Sequence, residues 1–268
     1  MRTVWRLLLA LALLAVTAVP SLAASAAQAA PSTPAATTAV PQVDVFGDSV
    51  TWESEIFIAY ALQKRAQVNF YVYPGTSLCM WFDQMKQAAA AKPSMVLMTF
   101  ASWPGRSCDH TSDPYREITD DASTAATIFK GIPIVFAADP IASSSTPALQ
   151  QKLNQAYQAA VRTHKNARFN NPGATVTNKG AFTTYLPCLP DETASYGCIN
   201  AYGGVIKVRA PDGVHLCPVI PPNAGHCPMY SSGERRFGTA LAAPAVKNLP
   251  LRQTVSRPRI MKYEGVKF

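Results

Sequence analysis

Four short runs of apolar, β-branched and aromatic residues constrain the fold most strongly: "VDVF" (Val43 to Phe46), "VNFYVY" (Val68 to Tyr73), "SMVLMTF" (Ser94 to Phe100) and "IPIVFAA" (Ile132 to Ala138). Near-continuous runs of this length suit strands buried on both faces, as in a parallel sheet. Helical stretches separate them. "EIFIAYALQKR" precedes the second run, "MWFDQMKQAAAAK" the third and "REITDDASTAATIFK" the fourth. "TPALQQKLNQAYQAAVRTHK" follows, with Pro147 near its start and apolar residues at three- and four-residue steps. The alternation predicts an α/β fold, a doubly wound parallel sheet sandwiched by helices. A short fifth strand is expected around Ala174 to Thr177, and "SSGERRFGTALAAPAVKNL" reads as a final helix that Pro244 kinks or shortens.

The two ends read differently. Arg2 and Arg6 precede an apolar stretch from Leu7 to Val19, and small residues close it at Ala27-Gln28-Ala29. This is the pattern of a secretory signal peptide over residues 1–29. A Pro/Ala/Thr-rich linker over 30–41 follows, too poor in large apolar residues to pack. Export removes two arginines, so the formal charge falls from +8 to +6. The remaining chain, about 240 residues, is enough for one well-buried domain, placed at 42–247. A basic tail, 248–268, carries Arg252, Arg257, Arg259, Lys262 and Lys267 against Glu264 and is expected to be solvated.

From Phe182 to Tyr230 proline, glycine and cysteine dominate. The chain has six cysteines, an even number that suits disulfides in an exported protein. Their grouping favours Cys79 with Cys108, Cys188 with Cys198 and Cys217 with Cys227, stapling an ordered loop region. There is no Cys-x-x-Cys pair and the four histidines are scattered, so neither a metal site nor a cofactor is expected. The basic tail has no interleaved aromatics, which argues against nucleic-acid binding; the positive charge suits anionic cell-envelope polymers instead.

Chemistry enters at "VDVFGDSVTWES", where the first run breaks at Gly47-Asp48-Ser49. The turn after the first strand of a doubly wound sheet lies at the carboxyl end, where such folds bind ligands. Ser49 is therefore either a helix cap or a nucleophile. Downstream, "VRAPDGVHLC" holds Asp212 and His215 three residues apart. An imidazole can take a serine proton near neutral pH, and a carboxylate beside it fixes the tautomer. The same residues also fit a plain Asp-Gly turn.

Taken together, Gly47-Asp48-Ser49 and Asp212-x-x-His215 resemble the SGNH hydrolase (GDSL-type) superfamily, with the α/β pattern spanning Val43 to about Val246. The segment "YSSGERRFG" is similar to exported actinobacterial members. The resemblance implies a single SGNH-type domain with a flavodoxin-like sheet, Ser49 as nucleophile, His215 as base and Asp212 as its orienter. It also implies an oxyanion hole that uses the Ser49 N–H and the N–H of Gly75, in "YPGTSLC". The family's third block carries an asparagine after the third strand. Here that turn reads "TFASWPGRSCD", with Ser102 or Trp103 in the equivalent place, and Ser102 is the expected substitute donor. Trp52, Trp103 and Arg209 are candidate substrate contacts; core or rim packing for the tryptophans and a solvated surface site for Arg209 are the alternatives.

The expected activity is that of a secreted serine esterase or acyl hydrolase, probing an ester of a glycan, lipid or small molecule as a monomer. An O-acyltransferase of envelope glycans would use the same triad. A catalytically silent ligand-binding domain is the reading that the missing asparagine motivates.

Overall fold

β1 (Gln42–Gly47) is the axis of the structure, and both its faces are covered. Val43 and Val45 point into one apolar layer, Phe46 into the other. The computed structural model describes residues 40–100, 108, 112–199, 204–219, 227–251 and 261–262. The segments expected to be a leader, 1–29, and nearly all of the expected linker, 30–41, lie outside these residues. Among the described residues no helix is long and apolar enough to cross a membrane.

After β1 come α1 (Ser49–Glu53), α2 (Glu55–Leu62), β2 (Gln67–Val72), α3 (Phe82–Ala90), β3 (Met95–Thr99), α4 (Pro114–Ile128), β4 (Ile134–Ala137), α5 (Pro147–Thr163) and β5 (Ala167–Asn170). The short pair β6 (Tyr185–Pro187) and β7 (Val205–Lys207), α6 (Ser232–Asn248) and β8 (Met261–Lys262) complete the order. The main sheet runs β5-β4-β3-β1-β2-β8, with all its pairings parallel. This is a flavodoxin-like α/β sandwich. The chain leaves β1 toward β2 and then returns to place β3 on the other side of β1, so the connections diverge at the carboxyl end of β1.

One layer joins β1 and β2 to α2 and α6 through Ile58, Leu62, Phe70, Phe237 and Leu241. The opposite layer joins the sheet to α3, α4 and α5 through Trp81, Met85, Ala122, Phe136 and Tyr157. Helix starts are written in the sequence. Asp113 accepts from Tyr115 N and Arg116 N, and Thr146 accepts from Leu149 N, each just before a proline at the first helical position. Ser231 caps α6 by accepting from Glu234 N at 3.1 Å.

Three disulfides link Cys79 to Cys108, Cys188 to Cys198 and Cys217 to Cys227. The first joins the turn after β2 to the segment after β3, and the third closes the loop that follows His215.

Three details differ from the sequence reading. The fifth strand is Ala167–Asn170, paired from Ile134↔Ala167 to Ala137↔Asn170, while Pro172–Val176 forms a 3-10 turn. Asn171 caps that turn by accepting from Ala174 N, and Pro172 suits its first position. Pro244 does not end α6, which continues to Asn248. Met261–Lys262 pairs in parallel with Asn69–Phe70, so part of the expected solvated tail is an edge strand.

Candidate functional site

The corner after β1 is shaped by Asp48. Its backbone is extended and its carboxylate accepts from Val50 N at 3.1 Å, which makes Asp48 the cap of α1. Ser49 is the first helical residue, and its hydroxyl is not used for capping. Gly47 is required at the corner, because a Cβ there would run into the buried side chain of Thr51.

His215 arrives from the far end of the chain. Its Nε2 lies 3.0 Å from Ser49 Oγ, and its Nδ1 lies 2.6 Å from Asp212 Oδ2. An ionised carboxylate only accepts, so Nδ1 carries the proton toward Asp212 and Nε2 is left to accept from Ser49. Asp212 is held anionic. Burial alone would raise its pKa, but the hydrogen bonds from His215 and from the backbone of Val214 and His215 bring it below the usual range. Burial would lower the imidazole in turn, yet the bond to Asp212 and the charges of Glu53 and Asp48 hold His215 above its ordinary value.

The loop bearing the imidazole is fixed at each backbone group. Val214 N and His215 N donate to Asp212 Oδ1 at 2.9 and 3.1 Å. Val214 O accepts from Arg209 Nη1 at 3.0 Å, and His215 O accepts from Ala210 N at 2.8 Å. Leu216 N donates to Glu53 Oε2 at 2.9 Å, and Leu216 O accepts from Ser231 Oγ at 2.8 Å. Gly213, at φ +71, makes the tight turn, and its carbonyl accepts from Ser143 N at 2.9 Å. A segment with every polar group satisfied in this way has little freedom to rotate its side chain away.

Arg209 corrects the sequence reading. It is fully buried, which overturns the solvated surface alternative; Nη1 reaches Val214 O, Nη2 donates to Ile141 O at 2.8 Å, and the guanidinium lies 5.6 Å from the Phe182 ring centroid. Burial lowers its pKa to about 10, so it stays charged among Asp139, Glu53 and Asp212. Asp139, just beyond β4, accepts from Thr99 Oγ1 at 2.6 Å and is raised well above the usual range by burial and by Asp48. Burial likewise takes Glu53 to about 7 and Glu234 to about 9.

The other candidates divide. Gly75, at φ +75, sits in the turn three residues past Val72, which pairs with Gly47, so it lies at the same end of the neighbouring strand as Ser49. Trp52 is half-buried on α1. Ser102 and Trp103 lie outside the described residues. Among the described residues, Cys217, Cys227 and Glu234 come close enough for a metal, but both sulfurs are already joined in the disulfide.

Glu53, Asp139 and Ser231 escaped the sequence reading. Glu53 alone carried a signal: it stands four residues after Ser49, one helical turn on, so both occupy one face of α1. Asp139 and Ser231 reach the site only through the tertiary fold.

No protein-family model matches the chain, and no curated protein matches it. Among solved structures it is similar to a lipase/acylhydrolase from Enterococcus faecalis, with 13% identity, 80% of this chain and 100% of that one covered, and a TM-score of 0.53. Two further similarities are to TesA (12% identity, 77% and 98% covered, TM-score 0.49) and to the C-terminal catalytic domain of Streptococcus pneumoniae peptidoglycan O-acetyltransferase A (13%, 80% and 99%, TM-score 0.47). At these identities the likeness is one of fold alone, an α/β sandwich with a parallel sheet.

Proposed function

We propose that the protein is a serine-dependent carboxylic ester hydrolase. The observation that carries this reading is the unbroken relay from Ser49 Oγ through His215 to Asp212, at 3.0 and 2.6 Å. Ser49 Oγ attacks the ester carbonyl carbon while its proton passes to His215 Nε2. Asp212 stabilises the imidazolium that forms. The carbonyl π pair moves onto oxygen, and that oxyanion is met by the N–H groups of Ser49 and Gly75, with Ser102 supplying a third donor. Collapse breaks the bond to the alcohol oxygen, which takes the proton from Nε2 and leaves acyl-Ser49. A water deprotonated by His215 Nε2 then adds to the acyl carbon, the bond to Ser49 Oγ breaks, and the proton on Nε2 returns to Ser49 as the acid leaves.

The substrate is an ester of a glycan, lipid or small molecule met outside the cytoplasm, in keeping with the secretory leader read over residues 1–29. The formal charge, +8 for the full chain and +6 once Arg2 and Arg6 leave with the leader, favours encounter with anionic envelope polymers. Trp52, half-buried on α1, is a substrate contact, and Trp103 is taken as a second on the sequence alone. The acyl-enzyme can equally meet a sugar hydroxyl, which would make the protein an O-acyltransferase.

The test is hydrolysis of p-nitrophenyl acetate by the purified mature protein, with and without an added oligosaccharide acceptor. Wild type is expected to release acid, and Ser49→Ala to lose at least about a thousandfold in turnover. Acyl transfer that depends on the oligosaccharide would identify the transferase. A folded wild type inert in both assays would overturn the enzymatic reading in favour of a ligand-binding domain.

A further inference from the structure

One turn of α1 touches the His215 loop twice. Ser49 Oγ meets the imidazole at 3.0 Å, and Glu53 Oε2 accepts from Leu216 N, the amide immediately after His215, at 2.9 Å. Glu53 is 7% exposed, so its carboxylate acts where water screens poorly. The mechanism above does not use it. A neutral acceptor such as glutamine would satisfy the same amide without the cost of burying a charge. A carboxylate there adds one thing that an amide does not, a negative charge directed at the base.

We propose that Glu53 is a positioning residue that works on His215 in two ways, fixing the loop through Leu216 N and stabilising the imidazolium through its charge. This rests on the reading of Ser49 and His215 as nucleophile and base. Proton transfer from Ser49 creates a positive charge on the imidazole, and two carboxylates then face it: Asp212 through a direct hydrogen bond, Glu53 through space. The other charged groups around Glu53 are Asp212 in the His215 loop, Asp48 before α1, Arg209 beside the loop and Glu234 on α6. Asp212, Asp48 and Glu234 are acids and Arg209 is cationic. The Glu53–His215 attraction is therefore the pairing among these that changes as the base takes up its proton.

The electrostatics agree with this geometry. The Glu53 charge helps hold His215 above its ordinary value, and the His215 charge draws Glu53 down from where burial alone would put it. Glu53, raised to about 7, and His215, raised above its ordinary value, each influence the other's protonation.

Glu53→Gln keeps an acceptor for Leu216 N and removes the charge; Glu53→Asp keeps the charge and withdraws it from the amide. The pH titration of the His215 ring nitrogens, followed by nuclear magnetic resonance, reads the coupling without reference to activity. Glu53→Gln is expected to lower the apparent His215 pKa by about half a unit or more, and to leave a single titration step. In ester hydrolysis its kcat should fall with KM nearly unchanged, and the acid limb of kcat/KM should move to lower pH. Glu53→Asp should retain the high His215 pKa while losing kcat.

A His215 titration identical in wild type and Glu53→Gln would overturn the proposal and leave Glu53 a structural acceptor. If Glu53→Gln does not fold, the reciprocal measurement decides: the Glu53 carboxyl carbon in His215→Ala must titrate at higher pH than in wild type, and an unchanged midpoint overturns the proposal. Absence of ester turnover in wild type would count against the hydrolase reading alone, since both titrations remain measurable.

Discussion

Arg209 Nη1 donates to Val214 O at 3.0 Å, immediately before the imidazole-bearing residue, while Nη2 of the same guanidinium holds Ile141 O at 2.8 Å. One fully buried cation thus ties the His215 loop to the segment that follows β4 and offsets the acids beneath the site. Arg209→Met would leave two carbonyls without donors and Asp139 and Glu53 without their cation. Removing one partner of a buried charge cluster costs about 3–5 kcal/mol. Urea denaturation is expected to show a loss of that size, together with reduced turnover; a change within 1 kcal/mol, the scale of an exposed ion pair, would show that the guanidinium is dispensable.

Burial raises several acids at once: Asp44 to about 6, Glu53 to about 7 and Glu234 to about 9. A carboxyl with a higher pKa in the folded state than in the unfolded one binds more protons when folded. Its stabilising effect is complete below the unfolded value and is lost as pH rises through the folded one. For Glu234 that window runs from 4.5 to about 9. Asp212 and Glu192 have the opposite sign, and their contribution disappears only as pH falls through their lowered values. The melting temperature should therefore decline from about pH 5 to pH 9, each kcal/mol lost being worth roughly 2–4 °C at this chain length. Glu234→Gln should flatten that decline, and an unchanged slope would contradict the assignment.

Much of the architecture was legible because its signals are local. The β1 to β4 runs are apolar enough to identify themselves, and Pro147 marks the start of its helix. The fifth strand was misplaced because "ARFN" buries fully only Ala167, while the apolar residues after it serve a capped turn. The β8 pairing had no apolar periodicity to reveal it. Within the candidate site, Ser49, Asp212 and His215 are legible through the resemblance of Gly47-Asp48-Ser49 and Asp212-x-x-His215 to the SGNH motifs, each motif being ambiguous by itself. For Arg209 the sequence offers a substrate contact or a solvated surface site, because a charged side chain ordinarily faces water. Only the tertiary structure shows it enclosed among acids and carbonyls.

Gly47 tests the corner that presents the serine. A methyl group there would press into Thr51, which is fully buried with its hydroxyl directed at Thr99 O. Overpacking of this kind costs about 1–3 kcal/mol. Gly47→Ala should lower the melting temperature and, by shifting α1, reduce turnover at Ser49. Full activity and an unchanged melting temperature would mean that the corner yields more easily than its packing implies.

The most direct measurement is covalent. A fluorophosphonate reacts with a serine oxygen only where a base removes the proton and the site accepts a tetrahedral phosphorus. Incubation of the folded mature protein followed by peptide mass spectrometry should place the label on Ser49. Ser49→Ala should abolish it and His215→Ala should slow it greatly, while Ser49→Ala keeps its melting temperature because Asp48 supplies the helix cap. A folded protein that stays unlabelled, or one labelled elsewhere and equally well in Ser49→Ala, would contradict the account.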